Sequence, residues 1–415
     1  MPAQSVNGDR LLRGVTELAQ IGRSESGGVT RPGFSPADLD AHHYMVREAE
    51  NSGLPTAVDA ARNPWLGPRP HPGTTTLVLG SHLDTVVDAG TLNGTYGVVS
   101  ALEAVDNLAS LGFLAHPVVT VAFANEEGAR HPRPFWGSLA ASGQLLTPAA
   151  ATTAYDGALL RGALARAGGN LDAIEQAGLD LHQLLAYLEL HIEQGPVLER
   201  ERMPIGIVDL IVGRVQLEVE LTGAAAHAGT TPMPGRSDAC AAAAAEIVLA
   251  VEDLVADWCQ VATVCRIEAA PNSPNTITGL VRLTVDVRDT DEGQLHQAAD
   301  EAVRRIESIA QRRTVKASCT RAASSKPALT DAALRRSIAA AAARRAVPTL
   351  PLTSGAGHDA QVMADITPAA MIFVPSIGGV SHTPHEDNSP DDVVLGAQML
   401  QDTALALTSH PGSLA

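Results

Sequence analysis

Five places in this chain carry side chains that could do chemistry. They are His82 and Asp84 in GSHLDTV, Asn93 in TLNG, Glu126 and Glu127 in ANEEGAR, His191 in LHIEQG, and His382 in VSHTPHE. Each lies where an apolar run gives way to polar or small residues. Imidazole nitrogens and carboxylate oxygens are the donors that a zinc-like cation takes, at about 2.0–2.2 Å. Asp84, two positions after His82, is spaced to accept the second imidazole N–H, which would fix the tautomer and raise ligand basicity. In Glu126-Glu127, neighbouring side chains can point different ways. One can then bind metal while the other moves a proton from water to a leaving nitrogen. Singly, each group reads as a satisfied polar residue or solvated surface. Together, at successive strand ends, they point to metal-dependent hydrolysis.

The elements that must position them follow from the apolar periodicity. DRLLRGVTELAQIG predicts a first helix over 9–22. TTTLVLGSHLDTV (74–86) and VVTVAFANEEGAR (118–130) each read as a buried parallel strand running into polar residues. Between them GVVSALEAVDNLASLG (97–112) reads as a helix closed by Gly112. Strand–helix–strand alternation with polar groups at strand carboxyl ends describes an α/β sheet with a site along one edge. The Ala-rich tract 150–186 reads as helices, and AYLELHIEQG delivers another polar cluster. After residue 212 the pattern changes. RVQLEVELTG and TITGLVRLTVDVRDT (276–290) alternate like half-exposed antiparallel strands. CAAAAAEIVLAVEDLVADW (240–258) and EGQLHQAADEAVRRIESIAQRR (292–313) read as helices. The expected organisation is a larger domain over 1–212 and 330–415, with a small α+β domain inserted over 213–329.

A length of 415 residues favours two domains, and 45% hydrophobic with 18% charged residues is ordinary for a globular chain. The net charge of -17 argues against a nucleic-acid partner, which needs a concentrated basic face. Cys240, Cys259, Cys265 and Cys319 form no CxxC pair and read as free thiols in a reducing compartment, with Cys240 in the core. The amino-terminal stretch lacks a basic segment followed by an apolar one, so no secretory leader is expected. No apolar run reaches the roughly 18–20 residues of a membrane span. A cytoplasmic protein without a membrane partner is the expectation.

The chain resembles the M20-type metallo-aminoacylase clan, in its amidase/hydantoinase/carbamoylase branch. The likeness runs nearly end to end and rests on GSHLDTV, ANEEGAR, LHIEQGPVLE, HAGTTPMPGRSDA, PNTITG, SGAGHDA and MIFVPSIGGVSHTPHE, in the family's order. The resemblance implies a zinc-exopeptidase-like catalytic domain with an inserted ferredoxin-like domain that mediates homodimerisation and closes over the site. It implies up to two divalent ions per subunit (Zn2+, Mn2+, Co2+ or Ni2+), with His82 and His191 on one, and Glu127 and His382 on the other. The family's bridging Asp falls at Asn93. Glu126 would be the general base on water activated by the metal, and Asp84 the partner of His82. His227 matches an oxyanion-stabilising His supplied to the partner subunit's site. Gln194 matches a substrate-facing position, Asn275 and Arg288 match residues that hold a substrate carboxylate, and His358 falls to site support or substrate contact. His191 within HIEQG points to the amidase branch. The implied activity is hydrolysis of a linear amide or ureido C–N bond, foremost in a small N-carbamoyl-L-amino acid. The alternatives are an allantoate- or ureidoglycolate-type or biosynthetic amidohydrolase, or a non-catalytic binder of N-substituted amino acids.

Asn93 departs from that pattern. A carboxylate offers two anionic oxygens to two cations, while an amide offers one neutral oxygen and an NH2 group. Two cations would then face each other with one compensating charge fewer, which weakens at least one of them. Three readings stand open: a natural one-metal variant, a change introduced into an intact enzyme, or drift towards weak or absent hydrolysis.

Overall fold

A computed structural model of the chain describes residues 5–409 apart from 113, 146–152, 155, 237, 238 and 256. It divides into two units, Met1–Ile211 with Leu329–Ala415, and Val212–Ala328. The larger unit is built on strands β1 (Thr56–Val58), β2 (Pro64–Leu66), β3 (Thr76–His82), β4 (Val118–Phe123), β5 (Leu184–Ile192), β6 (Ile205–Ile211), β14 (Thr349–Ser354) and β15 (Ala369–Val374), with the two-residue β13 (Ala328–Leu329) at the edge of the sheet. The order through its centre is β1-β2-β4-β3-β5-β15-β6, with β14 on β6. Strands β4, β3, β5 and β15 run parallel to one another, with His82 opposite Phe123 and Phe373 opposite His191, while β4 meets β2 and β15 meets β6 in antiparallel fashion. Their near-continuous apolar sequences are explained by burial on both faces: every residue of β3, β4 and β15 is buried.

Helices Gly8–Leu18, Thr95–Ala109 and Pro390–Thr408 contribute to the core on one face, together with Leu79, Leu188 and Ile372. Trp65, Val78, Phe123, Tyr187, Met371 and Phe373 form the core on the other. Fully burying side chains of this size stabilises by about 1.5–3 kcal/mol each. The parallel register brings the carboxyl ends of four adjacent strands to one edge. His82 ends β3, Glu126 and Glu127 follow β4, His191 lies near the end of β5, and His382 follows β15. A site along that edge follows from topology.

The tract 150–186 holds less helix than its alanines suggest. Its described residues include the α-helix Leu160–Arg166, the 3-10 segments Leu171–Ala177 and Leu181–Gln183, and the start of β5 at Leu184. Gly157, Gly168, Gly169 and Gly178 interrupt it, and each removes the side chain that would favour helix. Residues 150–152 and 155 of that tract, and 237 and 238 of HAGTTPMPGRSDA, lie outside the described residues.

The smaller unit is a four-stranded antiparallel sheet of β7 (Gly213–Thr222), β9 (Val261–Ala270), β11 (Leu280–Asp289) and β12 (Lys316–Ser325), in the order β12-β7-β11-β9. Val215, Leu217, Val219 and Leu221 are buried at every second position of β7 and pack with helices Cys240–Glu252 and Glu292–Arg312. The stretch read as one strand over 276–290 is two. Gly279 separates β10 (Thr276–Ile277), which pairs with β8 (Ala226–His227), from β11. All four cysteines are free, and Cys240 is fully buried. No helix among the described residues is long and apolar enough to cross a membrane.

Candidate metal centre

His82 is the last residue of β3 and is almost fully buried. Its Nδ1 lies 2.9 Å from the peptide oxygen of Asp84, so the ring proton sits there, and its Nε2 lies 3.6 Å from Glu126 Oε2. Burial, before any charge, holds this imidazole below its ordinary pKa, which keeps a lone pair on Nε2. The Asp84 carboxylate does something other than the expected capping of the ring. Its two oxygens accept the backbone N–H groups of Glu126 (2.9 Å) and Glu127 (3.1 Å), and it stands 3.7 Å from Nδ1. The peptide oxygen of Asp84 is the nearer to the ring, which leaves the carboxylate to clamp the loop that follows β4.

That clamp presents Glu126 and Glu127 beside His82, and oxygen and nitrogen atoms of the three lie within 4.8 Å of one another. The two carboxyls ionise in opposite senses. Burial, then Glu127, Asp359 and Asp84, push Glu126 well above the carboxylate range. Burial also opposes ionisation of Glu127, but His382, His82 and His191 outweigh it and bring it down to about 2. His382 Nε2 lies 3.3 Å from Glu127 Oε1 and 3.3 Å from Gln194 Nε2. Both Gln194 (φ 60°) and His382 (φ 58°) adopt the left-handed conformation, a strain that clusters at functional sites.

His191 is buried with its ring 6.0 Å from that of His82, nearly parallel at 28°. Its Nδ1 lies 2.9 Å from Ile192 O, and its Nε2 accepts the Gly94 N–H at 3.1 Å. Burial, then His82, lower its pKa to about 3. His358 packs edge-on against it at 4.7 Å and reaches Ser354 Oγ at 2.9 Å, consistent with support of the site. Gly94 has φ 63°, and a Cβ there would lie 2.4 Å from the His82 ring, so only glycine fits. Asn93 is buried, and its side-chain Nδ2 has no hydrogen-bond partner among the described residues.

Glu386, Glu189 and Arg31 are buried charged residues that escaped the sequence reading. Glu386 Oε1 accepts the N–H groups of Leu92 and Asn93, both at 3.0 Å, while Oε2 accepts Ser381 Oγ–H at 2.8 Å. It therefore ties the loop of Asn93 to the loop of His382. Its position inside HTPHE was a usable signal. Glu189, two residues before His191, accepts from Ser81 Oγ (2.8 Å) and Ala360 N (2.9 Å). A carboxylate in the apolar strand AYLELHI was the mark. Arg31 donates to Leu18 O and Thr95 Oγ1 and is 1% exposed, with no sequence signal.

His131, in the loop after β4, is fully buried against Phe34 at 5.7 Å. Burial foremost, then Arg130, lower its pKa to about 4, against about 6.5 in an unfolded chain. Between those values the unfolded chain binds a proton that the native state refuses. The stability present above pH 6.5 is therefore lost as pH falls towards 4. Urea midpoints of the parent should decline between about pH 7 and 5, and His131→Phe should flatten that decline by on the order of 1 kcal/mol. Equal slopes would remove His131 as the cause.

In the smaller unit, Arg288 on β11 donates from Nε to Asp286 Oδ1 at 2.7 Å. Arg214, directly opposite it on β7, binds the other oxygen of Asp286. Burial raises the Asp286 pKa, but Arg288 and Arg214 outweigh it, leaving two cations on one carboxylate. Arg214 was not singled out in the sequence, though its cross-strand place opposite Arg288 makes the pair. The exposed His227 accepts the N–H groups of Gly229 (3.0 Å) and Thr230 (3.1 Å) at Nδ1. A neutral imidazole held in that way carries its proton on Nε2. Asn275 is exposed, and its carbonyl accepts the Ala228 N–H at 2.9 Å, next to the β8–β10 pairing.

An α/β sheet with His and Glu side chains gathered at the carboxyl ends of its parallel strands defines a class of α/β proteins with a possible metal-binding group at the strand edge. The comparisons narrow this class. Residues 78–406 match peptidase family M20/M25/M40. Over 405 residues the chain is 35% identical to N-carbamoyl-L-amino acid amidohydrolase of Geobacillus stearothermophilus, covering 97% of this chain and 99% of that one. It is 33% identical over 396 residues to allantoate amidohydrolase of Escherichia coli (strain K12), covering 92% and 94%. The crystal structure of an amidase of the hydantoinase/carbamoylase family from Burkholderia vietnamiensis superposes with a TM-score of 0.92 at 32% identity, covering 99% and 100%. The chain belongs to peptidase family M20/M25/M40. Within it, it is an amidohydrolase of C–N bonds other than peptide bonds.

Proposed function

We propose that this protein hydrolyses the ureido C–N bond of an N-carbamoyl-L-amino acid, giving the free amino acid, carbon dioxide and ammonia. The observation that carries the reading is the placement of two adjacent carboxyls beside His82, with donor atoms of all three within 4.8 Å of one another. Glu126 is held at a high pKa and Glu127 at a low one. A carboxyl with a raised pKa is matched to taking and returning protons near neutral pH, and a permanent carboxylate is matched to a cation.

The donor set fits a divalent metal. The His82 Nε2 lone pair and Glu126 Oε2 stand 3.6 Å apart, too far for a hydrogen bond, and leave that lone pair to a cation. His82, Glu127 and His382 would hold it, with Zn2+, Mn2+, Co2+ or Ni2+ as candidates. When bound, the metal supplies Lewis acidity to the carbonyl and lowers the pKa of water. Glu126 takes the proton of the attacking water and returns it to the departing nitrogen. His227, with its proton on Nε2, donates to the developing oxyanion in the partner subunit's site. Arg288, supported by Arg214 and Asp286, and Asn275 hold the substrate carboxylate, for which a guanidinium fork is the suited partner. Gln194 orients the ureido group beside His382. We assign the protein to the cytoplasm, as a homodimer.

The test is ammonia release from a panel of N-carbamoyl-L-amino acids and from allantoate, after metal-free protein is reconstituted with Mn2+. Turnover of the carbamoyl compounds with preference over allantoate is expected. Preference for allantoate moves the assignment to that substrate, and no release from any of them by metal-loaded protein overturns hydrolysis.

A further inference from the structure

We infer that this chain holds a single divalent cation, and that His191 is not one of its ligands. The inference rests on the metal-dependent reading above and departs from a two-metal arrangement. The two buried imidazoles at the strand edge differ in one respect. Each points Nδ1 at a peptide oxygen, Asp84 O for His82 and Ile192 O for His191, both at 2.9 Å. Each therefore carries a lone pair on Nε2. That of His82 stands 3.6 Å from Glu126 Oε2, beyond hydrogen-bond distance, and is open to a cation. That of His191 already accepts the Gly94 N–H at 3.1 Å. Gly94 is wedged in place, since its α-carbon lies against the His82 ring so closely that a Cβ would meet it at 2.4 Å. His191 is thus a neutral hydrogen-bonded wall of the site.

Asn93 points the same way by a separate route. Its buried Nδ2 has no partner among the described residues, and its backbone N–H is fixed by Glu386. Turning the amide over would present one neutral oxygen, where bridging two cations calls for two anionic ones.

The experiment counts ions. Metal-free protein is titrated with Mn2+, and bound metal per chain is read by equilibrium dialysis and elemental analysis, with folding monitored by circular dichroism. The parent should take up one ion per chain. His191→Phe and the milder His191→Gln should take up the same one ion with affinity within about threefold, and His82→Ala should lose at least a hundredfold in affinity. Two ions in the parent, or loss of the ion in a folded His191 variant, overturns the inference. If neither His191 variant folds, the parent's count decides alone. A parent that binds no ion sinks this inference and the metal-dependent reading together. One ion without turnover leaves the inference standing and removes only the hydrolytic reading.

Discussion

Replacing Glu126 by Gln lowers kcat by about 10²–10⁴-fold while the bound ion stays in place. The substitution keeps the shape of the side chain and the backbone N–H that Asp84 holds at 2.9 Å. It removes a carboxyl whose pKa burial and neighbouring carboxyls raise well above the usual range. The amide neither takes the proton of water nor returns it to nitrogen, so loss appears in kcat, with KM changed little. The same exchange at Glu127 should act differently. Its carboxylate is kept anionic by His382, His82 and His191 despite burial, and removing that charge should weaken the ion first and turnover as a consequence. Mn2+ titration of both variants beside steady-state kinetics separates the two roles. If Glu126→Gln retains full kcat, proton transfer belongs to another group. If it loses the ion as Glu127→Gln does, Glu126 is a ligand.

Asn93→Asp is expected to create a second ion site. At a separation of about 4 Å, a unit charge on a cation is worth about 4 kcal/mol at an effective dielectric of about 20, or roughly 10³ in affinity. The Gly94–His191 hydrogen bond that would have to yield is a neutral one, with a net contribution of about 1 kcal/mol. Charge therefore outweighs it, and the count per chain should rise from one to two. The metal-free variant should melt below the parent, since the new carboxylate would be buried beside Glu386, which already accepts the backbone N–H of position 93 at 3.0 Å. With excess Mn2+ that order should reverse. A count that stays at one would show that the wedge formed by Gly94 and His191, rather than the missing charge, limits the site.

Much of this protein was legible in its residues. The apolar runs 74–86 and 118–130 could only be buried parallel strands, because both faces are hydrophobic. The strict alternation of RVQLEVELTG marked an antiparallel sheet with one solvated face. The candidate ligands at the strand ends, the Glu126-Glu127 pair and the departure at Asn93 all depend on residue type and local spacing, and both are written in the chain. The helical reading of 150–186 failed where composition was trusted over its glycines.

What the tertiary structure decided concerns partners remote in sequence. Only the strand order β4-β3-β5-β15 brings Glu126, His82, His191 and His382 to one edge. Only folding shows that Asp84 holds the N–H groups of Glu126 and Glu127 rather than the His82 ring. Burial raises both neighbouring glutamates, and their opposed ionisation comes from groups on other segments, His382 lowering Glu127 while Asp359 and Asp84 raise Glu126. That Gly94 fills the lone pair of His191 while His82 keeps its own open is likewise a matter of contact across 97 residues. Sequence determines which groups are present and which face of an element they occupy. Hydrogen-bond direction, burial and charge proximity arise from neighbours that the chain supplies only when it closes on itself, and they set what each group can do.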